Sequence, residues 1–135
     1  MNIRAVGRRV KLFYYGKVKG IAMADFRLDL EKGDGVGILA VEGYINNEGG
    51  EEITAACDQC IEEEIKDFVI NLEQCKIVNS MGVSCLIEVI EKVKDLKGRV
   101  GFCNVAPTMA KTFKIMGLLQ ASSIYESEAE ALVGK

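Results

Sequence analysis

Phe68-Val69-Ile70-Asn71-Leu72, then Ile77-Val78, then Asn79-Ser80-Met81-Gly82-Val83 form the stretch on which the reading of this chain turns. A short, nearly continuous apolar run is what a strand buried on both faces needs. Such a strand requires covering elements, so helices are expected on either side of it. Downstream, a helix beginning near Ser80 places Val83, Leu86, Ile87, Ile90 and Val93 inward at helical spacing. Gly98 then sits where a helix C-terminal glycine is expected. Val100-Gly101-Phe102-Cys103 reads as the next buried strand. Pro107 suits the first turn of a third helix, lined by Met109, Phe113 and Met116 and ended by Gly117. Ile124-Tyr125 reads as a last short strand before a helix over residues 127–133.

Upstream, Phe26, Leu28 and Leu30 alternate with Asp25, Arg27, Asp29 and Glu31, the period of a half-buried strand. Gly33-Asp34-Gly35 marks a tight turn, because these residues accept positive φ. The apolar run over residues 36–45 then pairs back as a hairpin. Asn46 or Asn47 can cap a following helix. On that helix Ile53, Cys57, Cys60, Ile61 and Ile65 share one face, while Glu51, Glu52, Glu62 and Glu63 meet water. The order is hairpin, helix, strand, helix, strand, helix, strand, helix. It predicts an α/β fold with a mainly parallel central sheet and an N-terminal hairpin.

The chain has 135 residues, enough for one domain. It contains no histidine, which removes the commonest general base and metal ligand. Five cysteines, apolar neighbours and no secretory pattern predict reduced, buried thiols and a cytoplasmic protein. No apolar run is long enough to insert into a membrane. Residues 1–22 carry six basic residues and no acid, whereas from Met23 onward acids outnumber bases by nine. The organisation expected is a basic N-terminal extension, residues 1–22, and a domain over residues 23–135. Met23 is an alternative natural start, and the alternation of Val10, Leu12 and Tyr14 allows an added edge strand. An acidic body is a poor partner for nucleic acid.

Cys57-Asp58-Gln59-Cys60 has the spacing of a metal or redox pair. A zinc site, however, needs four ligands, and a redox pair belongs at a helix start rather than mid-helix. Core packing is the better account. Gly33-Asp34-Gly35-Val36-Gly37 lacks the lysine of a phosphate loop and leads into a strand. Consecutive glutamates 62–64 do not converge on a helix. No catalytic residue, cofactor or metal is therefore expected. The turn at residues 79–82 is different, because it joins a buried strand to a helix at the carboxyl edge of the sheet, where α/β folds build their sites. Ser80 has two roles open there. It can cap the helix, a contribution of about 1 kcal/mol, or it can carry a phosphate stabilised by the helix dipole and free N–H groups. On the residues alone, capping is the stronger reading.

The sequence resembles the STAS domains of anti-sigma factor antagonists over residues 25–133. The resemblance is carried by Val41-Glu42-Gly43-Tyr44-Ile45, Phe68-Val69-Ile70-Asn71-Leu72 and Val78-Asn79-Ser80-Met81-Gly82-Val83. It continues through Gly98-Arg99-Val100-Gly101-Phe102, Met116-Gly117-Leu118 and the segment from Ile124 to Leu132. It implies a STAS fold and a non-enzymatic regulator whose serine, here Ser80, is phosphorylated by a serine-kinase anti-sigma factor. A phosphatase resets that switch, and the unphosphorylated form binds the anti-sigma factor to release a sigma factor. The aspartate that precedes the serine in the family is Asn79 here. The implied partner surface comprises Asn46, Asn47, Asn79, Ser80, Met81, Gly82, Ser84 and Glu88. A second implication is an adaptor subunit of a membrane lipid or anion transport complex, without phosphorylation.

Overall fold

The computed structural model describes residues 10–15 and 26–133. The remainder of the basic arm, residues 1–9 and 16–22, and the alternative start Met23 lie outside them. Among the described residues six strands make one sheet: β1 (Val10–Tyr15), β2 (Phe26–Gly33), β3 (Val36–Ile45), β4 (Asp67–Val78), β5 (Arg99–Cys103) and β6 (Ser123–Tyr125). Strand order in space follows chain order. β1–β2 and β2–β3 are antiparallel, and every later pairing is parallel. The helices are α1 (Asn47–Glu62), α2 (Ser80–Asp95), α3 (Pro107–Ile115) and α4 (Glu128–Val133). The arrangement is the expected one, with β1 added at the edge.

Each element follows from its residues. Asp34 (φ 50°) and Gly35 (φ 77°) both take the left-handed conformation between paired Gly33 and Val36. That two-residue turn matches the twist of the strands it joins. Phe68, Ile70 and Leu72 of β4 join Leu28, Leu30, Val41 and Phe102 in the main core, closed by α1, α2 and α3. Val69 turns to the other face, where Val36, Ile38 and Cys103 pack with Ala131 and Leu132 of α4. The apolar run that opened the reading is thus buried on both sides. Two register shifts interrupt the β3–β4 ladder, between Ala40 and Glu42 and between Gly43 and Tyr44. They bring Ile45 opposite Val78, so both strands end together.

Three details differ from expectation. Met116 does not line the core; α3 ends at Ile115, and Met116 at the C-cap is 46% exposed. The left-handed residue after α2 is Lys97 (φ 65°), not Gly98. A β-carbon on Gly98 would run into the Lys66 carbonyl oxygen, so its glycine serves close approach. Ile65 is buried but lies beyond the end of α1. Cys57 and Cys60 pack in the core as expected, and all five cysteines are free thiols. Burial pushes the Cys60 thiol up to about 11 and raises that of Cys57 as well. Among the described residues no helix is long and apolar enough to cross a membrane.

Candidate functional site

β3 and β4 end side by side at Ile45 and Val78, and each feeds directly into a helix. The two helices therefore open on one edge of the sheet. Asn46 caps α1, its side-chain oxygen accepting from the Gly49 N–H at 2.9 Å. Asn79 caps α2 in the same way, accepting from the Gly82 N–H at 2.8 Å. The Asn79 backbone N–H donates to the Ile45 carbonyl at 3.1 Å, tying one helix start to the other.

Ser80, then, is not the cap that the residues alone favoured. Asn79 holds that position, and Ser80 is the first helical residue, with its side chain exposed. Among the described residues its hydroxyl has no hydrogen-bond partner; only its carbonyl is engaged, accepting from Ser84 Oγ at 3.1 Å. The asparagine at 79 has its own logic. Its oxygen caps the helix while its nitrogen donates to the Tyr44 hydroxyl at 3.2 Å. An ionised aspartate could accept but not donate.

The fold gathers Asn46, Asn47, Asn79, Ser80 and Met81 at this edge. Asn47 is exposed, Asn46 and Asn79 are half-buried, and Met81 is 53% exposed. Ser84 and Glu88 follow one and two turns further along the exposed side of α2. Gly82 does not belong on that surface. It is buried, and a β-carbon there would collide with the Ile45 carbonyl oxygen, so its contribution is packing. Two residues of the edge were not singled out from sequence: Tyr44, the partner of the cap, and Ile77, which is 58% exposed at the end of β4.

The family model for the STAS domain matches residues 27–131. The chain belongs to the STAS domain family. It is 22% identical over 105 residues to BtrV of Bordetella bronchiseptica, named an anti-sigma factor antagonist, covering 78% of this chain and 90% of that one. The phosphorylated form of SpoIIAA, a Bacillus cell-fate determinant, has the same fold. Its TM-score is 0.64 at 23% identity, over 78% of this chain and 96% of that one. A sulfate transporter family protein from Wolinella succinogenes also shares it, with TM-score 0.64 at 16% identity over 73% and 84% of the two chains.

Within this STAS domain the start of α2 favours an anion. The first turn of α2 contains no acid, so the positive end of its dipole is not offset by a carboxylate of its own turn. Lys92 and Lys94 sit in the last turn, where cations are favourable. The Lys92 ammonium is held above its ordinary range by its hydrogen bond to Asp58, 2.7 Å away. A cavity of about 390 Å³ lies at the amino edge of β4 and β5, between Asp67, Arg99, Gln120 and Leu132, and none of the predicted site residues lines it.

Proposed function

We propose that this STAS domain is an anti-sigma factor antagonist switched by phosphorylation of Ser80. In this reading the unphosphorylated edge formed by Asn46, Asn47, Asn79, Ser80, Met81, Ser84 and Glu88 binds a serine-kinase anti-sigma factor, which releases a sigma factor. The kinase transfers a phosphoryl group to the Ser80 hydroxyl, and a serine phosphatase removes it. The domain acts in the cytoplasm, as a binding module without chemistry of its own.

One observation carries the proposal. Asn79 caps α2, which leaves the Ser80 hydroxyl exposed and unpartnered among the described residues, at a helix start with no acid in its first turn. A phosphate there adds about −1.5 to −2 charges and meets a favourable dipole. The helix tolerates it while the surface changes sign.

The test is incubation with ATP and the host's serine-kinase anti-sigma factors, phosphosite mapping, and measured affinity of two variants. Phosphate should map to Ser80. Ser80→Ala should keep the partner, and Ser80→Asp should weaken it about 100-fold, since like charges brought together at an interface cost several kcal/mol. Equal affinities for the two variants would sink the switch. The shared fold of the Wolinella sulfate transporter family protein favours a second reading, an adaptor in a membrane transport complex. Co-purification with a membrane ATPase, together with no phosphate on Ser80, would select that reading instead.

A further inference from the structure

The sheet face under α4 has a short covering. Side chains alternate along a strand, so Asp67 shares this face with buried Val69, and Arg99 shares it with Gly101 and buried Cys103. α4 is six residues long and packs Ala131 and Leu132 on Val36, Ile38, Val69 and Cys103. β6 is three residues long and pairs with Gly101–Cys103, so Arg99 and Val100 lie before its start. Here, at the amino ends of β4 and β5, stands the cavity of about 390 Å³, a size usual for small-molecule sites.

Its lining is graded. Val69, Ala131 and Leu132 form a buried apolar wall. The Tyr125 ring lies against the bare backbone of Gly101, where a β-carbon would meet it at 2.8 Å. Toward solvent the cavity is lined by Asp67 and Arg99, register partners on adjacent strands and both half exposed. Their carboxylate oxygen and guanidinium nitrogen are 4.0 Å apart, beyond hydrogen-bond length. Gln120, Ser123 and Tyr125 also line the cavity, and among the described residues no hydrogen bond engages the Gln120 amide or either hydroxyl. One acid beside one base, next to an apolar wall, selects the ligand. A lone anion would meet Asp67 as well as Arg99, and a lone cation would meet Arg99 as well as Asp67. A small molecule with both charges at one end and an apolar group at the other suits each part of the lining.

We propose that this cavity binds a free α-amino acid with an apolar side chain. The α-carboxylate faces Arg99, whose fork of donors fits a carboxylate, and the ammonium faces Asp67. The side chain lies between the Tyr125 ring and Leu132, and Gln120 and Ser123 supply neutral partners beside the charges. The site is at the opposite end of β4 from Val78 and Ser80, goes beyond the phosphorylation reading and does not depend on it.

The experiment is an NMR titration of the ¹⁵N-labelled full chain with L-phenylalanine at millimolar concentration. L-phenylalaninamide, which lacks the carboxylate, and N-acetyl-L-phenylalanine, which lacks the ammonium, are the controls. Saturable shifts should fall on the amides of residues 67–69, 99–101 and 120–123, and both controls should bind more weakly than L-phenylalanine. Asp67→Asn and Arg99→Gln should each weaken L-phenylalanine about fivefold, the loss of one charge-assisted hydrogen bond at a half-exposed site. Absence of saturable shifts, shifts confined to another face, equal affinity for the three compounds, or unchanged affinity in both variants would each overturn the proposal.

Discussion

The turns Asn46-Asn47-Glu48-Gly49 and Asn79-Ser80-Met81-Gly82 are built alike. Each begins with an asparagine whose side chain accepts from the N–H of a glycine three residues on, and each starts a 16-residue helix. They differ in what stands between asparagine and glycine. α1 has Glu48, a carboxylate in the first turn, which offsets the positive end of its own helix. α2 has Ser80 and Met81, a hydroxyl and an exposed thioether, and no acid. The glycines differ as well. A β-carbon on Gly49 would meet the buried Phe26 ring at 2.9 Å and the Tyr44 carbonyl oxygen at 3.2 Å, a crowding that small shifts relieve. On Gly82 it would meet the backbone carbonyl of Ile45, which cannot give way. The same local device thus closes one helix electrostatically and leaves the other open to an anion, on a more rigid footing.

The sharpest way to break this comparison is at the glycines. Gly82→Ala should destabilise the domain by about 3 kcal/mol, at the upper end of overpacking costs. Gly49→Ala should cost about 1 kcal/mol or less, since the gain in helix propensity offsets part of the strain. Urea unfolding midpoints measure both, and equal shifts would show that the Ile45 carbonyl is not the obstacle. The asparagines come next. Asn46→Ala should cost about 1 kcal/mol for the lost cap. Asn79→Ala should cost about 2 kcal/mol, because the Tyr44 hydrogen bond goes too. Asn79→Asp should cost less than either, because it keeps the cap and the Tyr44 hydroxyl can turn to donate to it; if Asn46→Ala and Asn79→Ala shift stability equally, Tyr44 plays no part. The smallest effect is expected from pH in the neutral range. Burial holds Cys60 and Cys75, which lie in the core that both helices cover, near 11. Folded-state values above the ordinary 9.0 favour the neutral thiol in the fold, so stability is full below pH 9 and falls as pH rises toward 11. Denaturation midpoints between pH 7 and 11 should show a plateau and then a decline. A decline that begins below pH 8 would mean that other groups govern it.

Much of this was legible in residue order. The alternation in residues 26–30, the turn at residues 33–35 and the double-sided run at Phe68–Leu72 each point to one backbone conformation, and each took it. A cap at Asn46 or Asn47 was visible because the residues after them begin a helical period, and the backbone places it at Asn46. At residues 79 and 80, two good capping residues stand together, and only the backbone conformation decides between them: Asn79 is extended, with φ −95° and ψ 179°, and Ser80 is already helical. Gly82 came onto the implied partner surface with the family's motif, and its burial depends on the carbonyl of a strand that ended 37 residues earlier. Tyr44 and Ile77 were missed because their roles are relational. Tyr44 matters only once Asn79 is placed beside it, and Ile77 lies in the part of β4 that β5 does not reach. Such differences in strand length between neighbours leave no local mark.

The Ile45 carbonyl has one more consequence. It accepts the Asn79 N–H and lies against Gly82, so the start of α2 is pinned at two points to the end of β3. A helix held this way resists swinging or sliding at its first turn. If Ser80 is phosphorylated as proposed, the message is carried in charge and not in shape, and no slow rearrangement stands between writing and reading. On that proposal, how fast the state of the domain changes would be left to the enzymes that add and remove the mark.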